Sequence, residues 1–185
     1  MDNRPRGQPI ARVLLWLFVI NLGIAFGAGL YESRIVVPQW ISFSAESGYQ
    51  WNAEAARQAD TGLRFWVFVT TVPLTLLTLA NLVAAWRSRG PTRRWWLGAA
   101  VASLADRVFT FSYFIPTMLR LMNDETLSQA EAVALALQWA RLDYVRHAIG
   151  LAAWLAALKA FALQSRDGGW VRFPVDQEER EIAST

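Results

Sequence analysis

The 185 residues contain no cysteine and a single histidine, His147. The first absence excludes disulfides and thiolate metal sites, and leaves the redox compartment undetermined. The second excludes bis-histidine haem ligation, and without a Glu-x-x-His pair a di-iron carboxylate bundle has no ligand set. A carboxylate-only divalent site from Glu32, Asp106 and Asp143 is disfavoured by the arginines nearby, so neither metal nor cofactor is expected. Internal repeats are also lacking. What dominates is apolar: 54% of the chain is hydrophobic, with ten Trp and ten Phe. These residues gather in four long blocks rather than in scattered periodic stripes, which excludes an ordinary soluble domain. The net charge of +3 does not indicate a nucleic-acid partner. Its arginines lie mainly beside the blocks, where they orient a membrane protein.

The fold class expected is therefore all-α: a polytopic membrane protein, one four-transmembrane-helix bundle over residues 1–164, with lipid as its surroundings. The spans run approximately over 12–37, 64–86, 95–122 and 133–163, and residues 165–185 read as a flexible tail. Arg4 and Arg6 followed by an apolar run also describe a signal peptide, and Ala25-Phe26-Gly27 loosely resembles a cleavage site. The run is longer than a usual signal core, so an uncleaved first span is the expectation. Gly23 and Gly27 form a small-xxx-small pair for close helix approach, including approach by a second copy of the chain. The connector from Pro38 to Leu63 carries Trp40 and Trp51 as interfacial anchors and a short surface helix over Ala53 to Ala59. The second span holds no charge; its Thr71, Thr75 and Thr78 accompany Pro73, which is expected to bend it. Arg87, Arg89, Arg93 and Arg94 surround Gly90-Pro91. By the positive-inside rule this loop and both termini face the cytoplasm, of a bacterial-type cytoplasmic membrane.

The third span carries a polar stripe through Ser103, Asp106, Arg107, Thr110, Tyr113, Thr117 and Arg120, with a kink expected at Pro116. The fourth, from Ala132 to Leu163, organises the rest. Arg141, Asp143, Arg146 and His147 crowd into one short segment of it, and intramembrane charges are costly enough to be functional candidates by default. Trp139, Asp143, Arg146, Gly150 and Trp154 recur at helical spacing. Counting helix rise from Arg12, Arg94 and Lys159 puts Asp106, Arg107 and His147 about 18–20 Å deep, Asp143 about 24 Å and Glu32 about 30 Å. Tyr31, Tyr113 and Tyr144 are available to complete hydrogen bonds. A carboxylate one turn from an imidazole orients it, and arginine stabilises an anion. Together they suit abstraction of a proton from a weakly acidic carbon and retention of the enolate. The same residues also suit a structural ion-pair network, with Asp106 neutralising Arg107 or Arg146, and Arg120 and Arg141 snorkelling to the surface.

Gly29-Leu30-Tyr31-Glu32 followed by Pro38 and Trp40, then Tyr113-Phe114-Ile115-Pro116-Thr117-Met118, then Trp139 and Arg146, resembles the anthrone oxygenase-like family of small four-span membrane proteins. The resemblance covers residues 10 to 164. It implies cofactor-independent oxygenation of a hydrophobic polycyclic substrate, an anthrone, by way of an enolate that reacts directly with O₂. On that basis Asp143 or His147 is the base, Arg146 and Arg107 are the enolate-stabilising cations, and Glu32, Tyr31, Tyr113, Asp106, Trp139 and Tyr144 line the substrate site. The sequence departs from the family at Asp143, where an Asn is expected in Trp-xxx-Asn-xx-Arg. A small transporter or binding protein, or a structural partner subunit, accounts for the same charges.

Overall fold

The computed structural model describes residues 7–167, and side chains from 10 to 165. The Arg4/Arg6 lead and most of the expected tail lie outside the described residues. The chain folds into four long helical columns. The first is α1 (Gly7–Tyr31), a π-helical turn (Glu32–Val36) and α2 (Val37–Trp40), without a break. The second is a π-helical stretch (Gly62–Thr71) continued by α4 (Val72–Arg87). The third joins α5 (Pro91–Phe109) to α6 (Ile115–Asn123) through a π turn (Thr110–Phe114), and the fourth is α7 (Gln129–Asp167) alone. Between the first two columns lie a hairpin, β1 (Ile41–Ser44) and β2 (Gly48–Trp51), and the short helix α3 (Ala53–Ala59).

Each column packs on its neighbours in chain order, and the fourth closes against the first, so the first and third lie across one diagonal. Side-chain pairings show that neighbours run antiparallel. Asn81 of the second column meets Leu14 of the first, and Trp96 of the third, while Thr61 meets Glu32. Trp139 meets Phe114, and Ser33 meets Asp143. Among the described residues three helices are long and apolar enough to cross a membrane: Ile10–Trp40, Gly62–Arg87 and Gln129–Ser165, with mean hydropathy 2.2, 1.9 and 1.4. The third column is not among them, and Asp106 and Arg107 lie near its middle. Large apolar side chains nevertheless face outward from every column, including Val101, Val108, Phe111 and Leu119 on the third.

The interior has two apolar cores. One, toward the Arg87–Arg94 loop, joins Leu15, Phe18 and Leu22 to Leu74, Trp96, Ala99, Ala153, Ala157 and Ala160. The alanines, with no side chain beyond Cβ, let α5 and α7 approach closely. Fully buried Asn81 stitches this core, donating to the Leu14 carbonyl at 3.2 Å and accepting from Trp96 Nε1 at 2.9 Å. Thr78 and Ser103 meet at 2.8 Å beside it. Interhelical bonds of this kind contribute about 1 kcal/mol each. The second core, toward the hairpin, gathers Val37, Trp40, Trp51, Ala56, Phe114, Leu121, Ala136 and Trp139.

The connector departs from the sequence expectation. Trp40 and Trp51 are not interfacial anchors: they are buried edge to face, 6.4 Å apart, beneath the hairpin. The reason is hydrogen bonding. Trp51 Nε1 donates to the Leu121 carbonyl at 2.9 Å, and the Asn52 amide to the Trp40 carbonyl at 2.8 Å. The helix expected over Ala53 to Ala59 forms there. Asn52 caps its start, accepting from the Ala55 amide at 2.9 Å, and Asp60, at φ 44°, ends it. α7 begins four residues before the expected 133 because Ser128 and Glu131 form a reciprocal capping box, each backbone N–H donating to the other's side chain.

Candidate functional site

Between the two cores lies a polar layer, and proline chemistry shapes it. Pro38, Pro73 and Pro116 each follow a π-helical segment by two residues. A proline ring crowds the carbonyl four residues back and offers no N–H, which a widened turn relieves. The amide just before each proline donates five residues back: Val37 to Glu32, Val72 to Val67, Ile115 to Thr110. The first column therefore runs on through Pro38, where the sequence suggested an end, and the second and third stay helical through Pro73 and Pro116. Each widened turn also rotates its residues relative to a regular helix. Thr70 and Thr71 are consecutive and both buried, and Glu32 and Ser33 both turn toward the bundle interior. π-helical turns recur at functional sites.

α7 has no proline and presents the charged part of the layer. Asp143 is 3% exposed. Ser33 donates to its Oδ2 at 2.5 Å, and Arg146 Nη2 approaches Oδ1 at 2.7 Å, off the line of a hydrogen bond. The Arg146 guanidinium also sits over the Phe114 ring, 4.5 Å from its centroid. His147 Nδ1 lies 2.6 Å from the Asp143 carbonyl and 3.4 Å from Oδ2. Both are acceptors, so Nδ1 carries a proton, and the neutral tautomer this selects has its lone pair on Nε2. That nitrogen faces α1 at Gly29, where a β-carbon would come within 2.6 Å of it, and Phe26 meets the ring edge-on. A buried anion, a cation beside it and an imidazole of fixed tautomer are the parts needed to take a proton from carbon and hold the charge left behind.

Other sequence candidates fall in different places. Glu32 is buried near Asp143 and Arg146, but its Oε1 accepts from Thr61 at 2.7 Å and Trp66 Nε1 at 2.8 Å. Asp106 and Arg107 pair with each other at 2.5 Å, both buried on the third column. Arg107 therefore brings no free charge to Arg146, although its Nε has no hydrogen-bond partner among the described residues. Trp139 is buried, with its Nε1 donating to the Phe114 carbonyl at 3.2 Å. Tyr113 stacks on Phe109 with its hydroxyl buried near Thr117. Tyr31 and Tyr144 do not reach the site. Each adjoins a site residue and so points about 100° away from it, to the outer surface. Gly23 is already filled by Trp154 of α7, with a β-carbon position 3.2 Å from the indole, whereas Gly27 faces open space.

Ser33, Gly29, Phe26, Thr61 and Trp66 are site neighbours that sequence reasoning missed. Gly29 was quoted only as part of a motif. Ser33 lies one residue from Glu32, and only the widened turn before Pro38 brings both inward. Among the described residues no group of three His, Cys, Asp or Glu side chains is placed to hold a metal ion. Comparison with protein-family models, with curated proteins and with solved structures yields no match.

Proposed function

We propose that this chain is a four-span integral membrane protein whose polar layer is an acid–base site for a hydrophobic, weakly acidic aromatic molecule of the anthrone type. All four columns cross the bilayer, with the Arg87–Arg94 loop and both termini cytoplasmic. The third column crosses despite Asp106 and Arg107 because the two neutralise each other inside the bundle while its apolar side chains face lipid. His147 Nε2 takes a proton from the activated methylene, and Arg146 holds the enolate. The enolate then passes electrons to O₂. A C–O bond forms, His147 returns its proton to the peroxide, and loss of water from the resulting hydroperoxide leaves the ketone, so that CH₂ and O₂ become C=O and H₂O. Asp143, Ser33 and the Asp143 carbonyl act by positioning these two groups.

The observation that carries this reading is that His147, through Nδ1, and Arg146 are both anchored on Asp143, which sets an imidazole and a cation side by side in the polar layer. It favours His147 over Asp143 as base, since both Asp143 oxygens already face donors. A second reading has a specific observation too. Nε2 is packed closely enough on Gly29 that the cluster also suits a purely structural tie between the first and fourth columns. Oxygen consumption by the protein in lipid nanodiscs, with an anthrone as substrate, separates them. Turnover is expected in the parent protein and a loss of about 100-fold or more in Arg146→Gln, the scale of removing one anion-stabilising donor. Full activity in the double variant Arg146→Ala/His147→Ala overturns the enzyme reading and leaves the structural one.

A further inference from the structure

The loop between the second and third columns has a shape that the acid–base site does not use. Arg89, Gly90, Arg93, Arg94 and Leu97 line an open depression of about 620 Å³, within the size range of ligand clefts. Gly90 adopts φ 84°, a left-handed turn that reverses the chain sharply and leaves open space where a side chain would stand. Arginines on both sides of the turn consequently share one concave wall. All three are solvent-exposed, and no acidic residue occurs between Asp60 and Asp106 to neutralise them locally. Two tryptophans flank the cleft. Trp86 is 67% exposed with Arg93 over its ring at 5.7 Å, and Trp95 is 48% exposed. Exposed tryptophan beside arginine at a helix end is the composition of the bilayer interface, where indole lies at headgroup level.

We propose that this depression binds the phosphate headgroup of an anionic phospholipid. Arg89, Arg93 and Arg94 hold the phosphodiester through charge-assisted hydrogen bonds, and Leu97 at the foot of the wall meets the start of the acyl chains. Basic clefts between helix ends are suited to such lipids, each cation adding roughly fivefold to the preference for an anionic surface. The assignment rests on the transmembrane reading, because only a bundle that crosses the bilayer brings this turn to headgroup depth.

Native mass spectrometry of the full chain, released from mixed phosphatidylglycerol and phosphatidylcholine nanodiscs, tests it. Phosphatidylglycerol is expected to be retained preferentially. The preference should fall about tenfold or more in Arg89→Gln/Arg93→Gln/Arg94→Gln and persist in Arg120→Gln at the opposite end of the bundle. Equal retention of the two lipids, or an unchanged preference in the triple variant, overturns the proposal. Displacement of the lipid by inorganic phosphate would assign the cleft to a soluble anion and overturn it equally. Failure of the transmembrane reading has a different signature: alkaline carbonate would strip the protein from bilayers of either composition.

Discussion

Asp143 holds the site together because it has three partners at once: a hydroxyl from the first column, a guanidinium one turn away, and an imidazole that also leans on its carbonyl. Replacing it by Asn keeps the shape and removes the charge. With His147 as base, Asp143→Asn should lower turnover about tenfold to a hundredfold, while His147→Gln should abolish it, the range expected when a base is misplaced rather than deleted. Steady-state oxygen uptake by both variants checks this, with helical circular dichroism confirming the fold. Equal abolition in both would make Asp143 the base. The charged residues of this site were legible in the sequence, since an Asp, an Arg and a His within one apolar segment are expensive enough to announce themselves. Ser33 and Gly29 were not. A serine beside Glu32 and a glycine among many carry no such cost.

At the scale of the element, three prolines and the widened turns before them decide which residues reach the interior. Spacing at 3.6 residues per turn misplaces Ser33 because the Val37 amide donates to Glu32, five residues back. Restoring an N–H at residue 38 removes the reason for that turn. In Pro38→Ala the segment should tighten to a regular helix and rotate Ser33 away from Asp143. A short bifunctional thiol reagent should therefore join cysteines introduced at Ser33 and Asp143 when Pro38 is present, and fail to join them in Pro38→Ala. Equal crosslinking in both backgrounds would detach the π turn from the proline. The α3 helix was readable from its composition, whereas the hairpin was not. Its strands have four residues each, too short for alternation to stand out, and what holds them is tertiary: Trp51 against Leu121, and Asn52 against Trp40.

For the whole molecule, hydropathy alone finds three of the columns, and the third, which it does not find, carries the buried Asp106–Arg107 pair. Its course decides whether the polar layer lies inside a bilayer, with the arginine-lined depression at one end and the hairpin at the other. Single cysteines at Ser47, Ser88 and Glu125, each tested with an impermeant thiol reagent on intact cells, measure this directly. Ser47→Cys and Glu125→Cys are expected to react from outside and Ser88→Cys only after permeabilisation, which requires the second and third columns both to cross. Labelling of Ser88→Cys and Glu125→Cys from the same side would mean that the third column does not cross, and would contradict the four-span site.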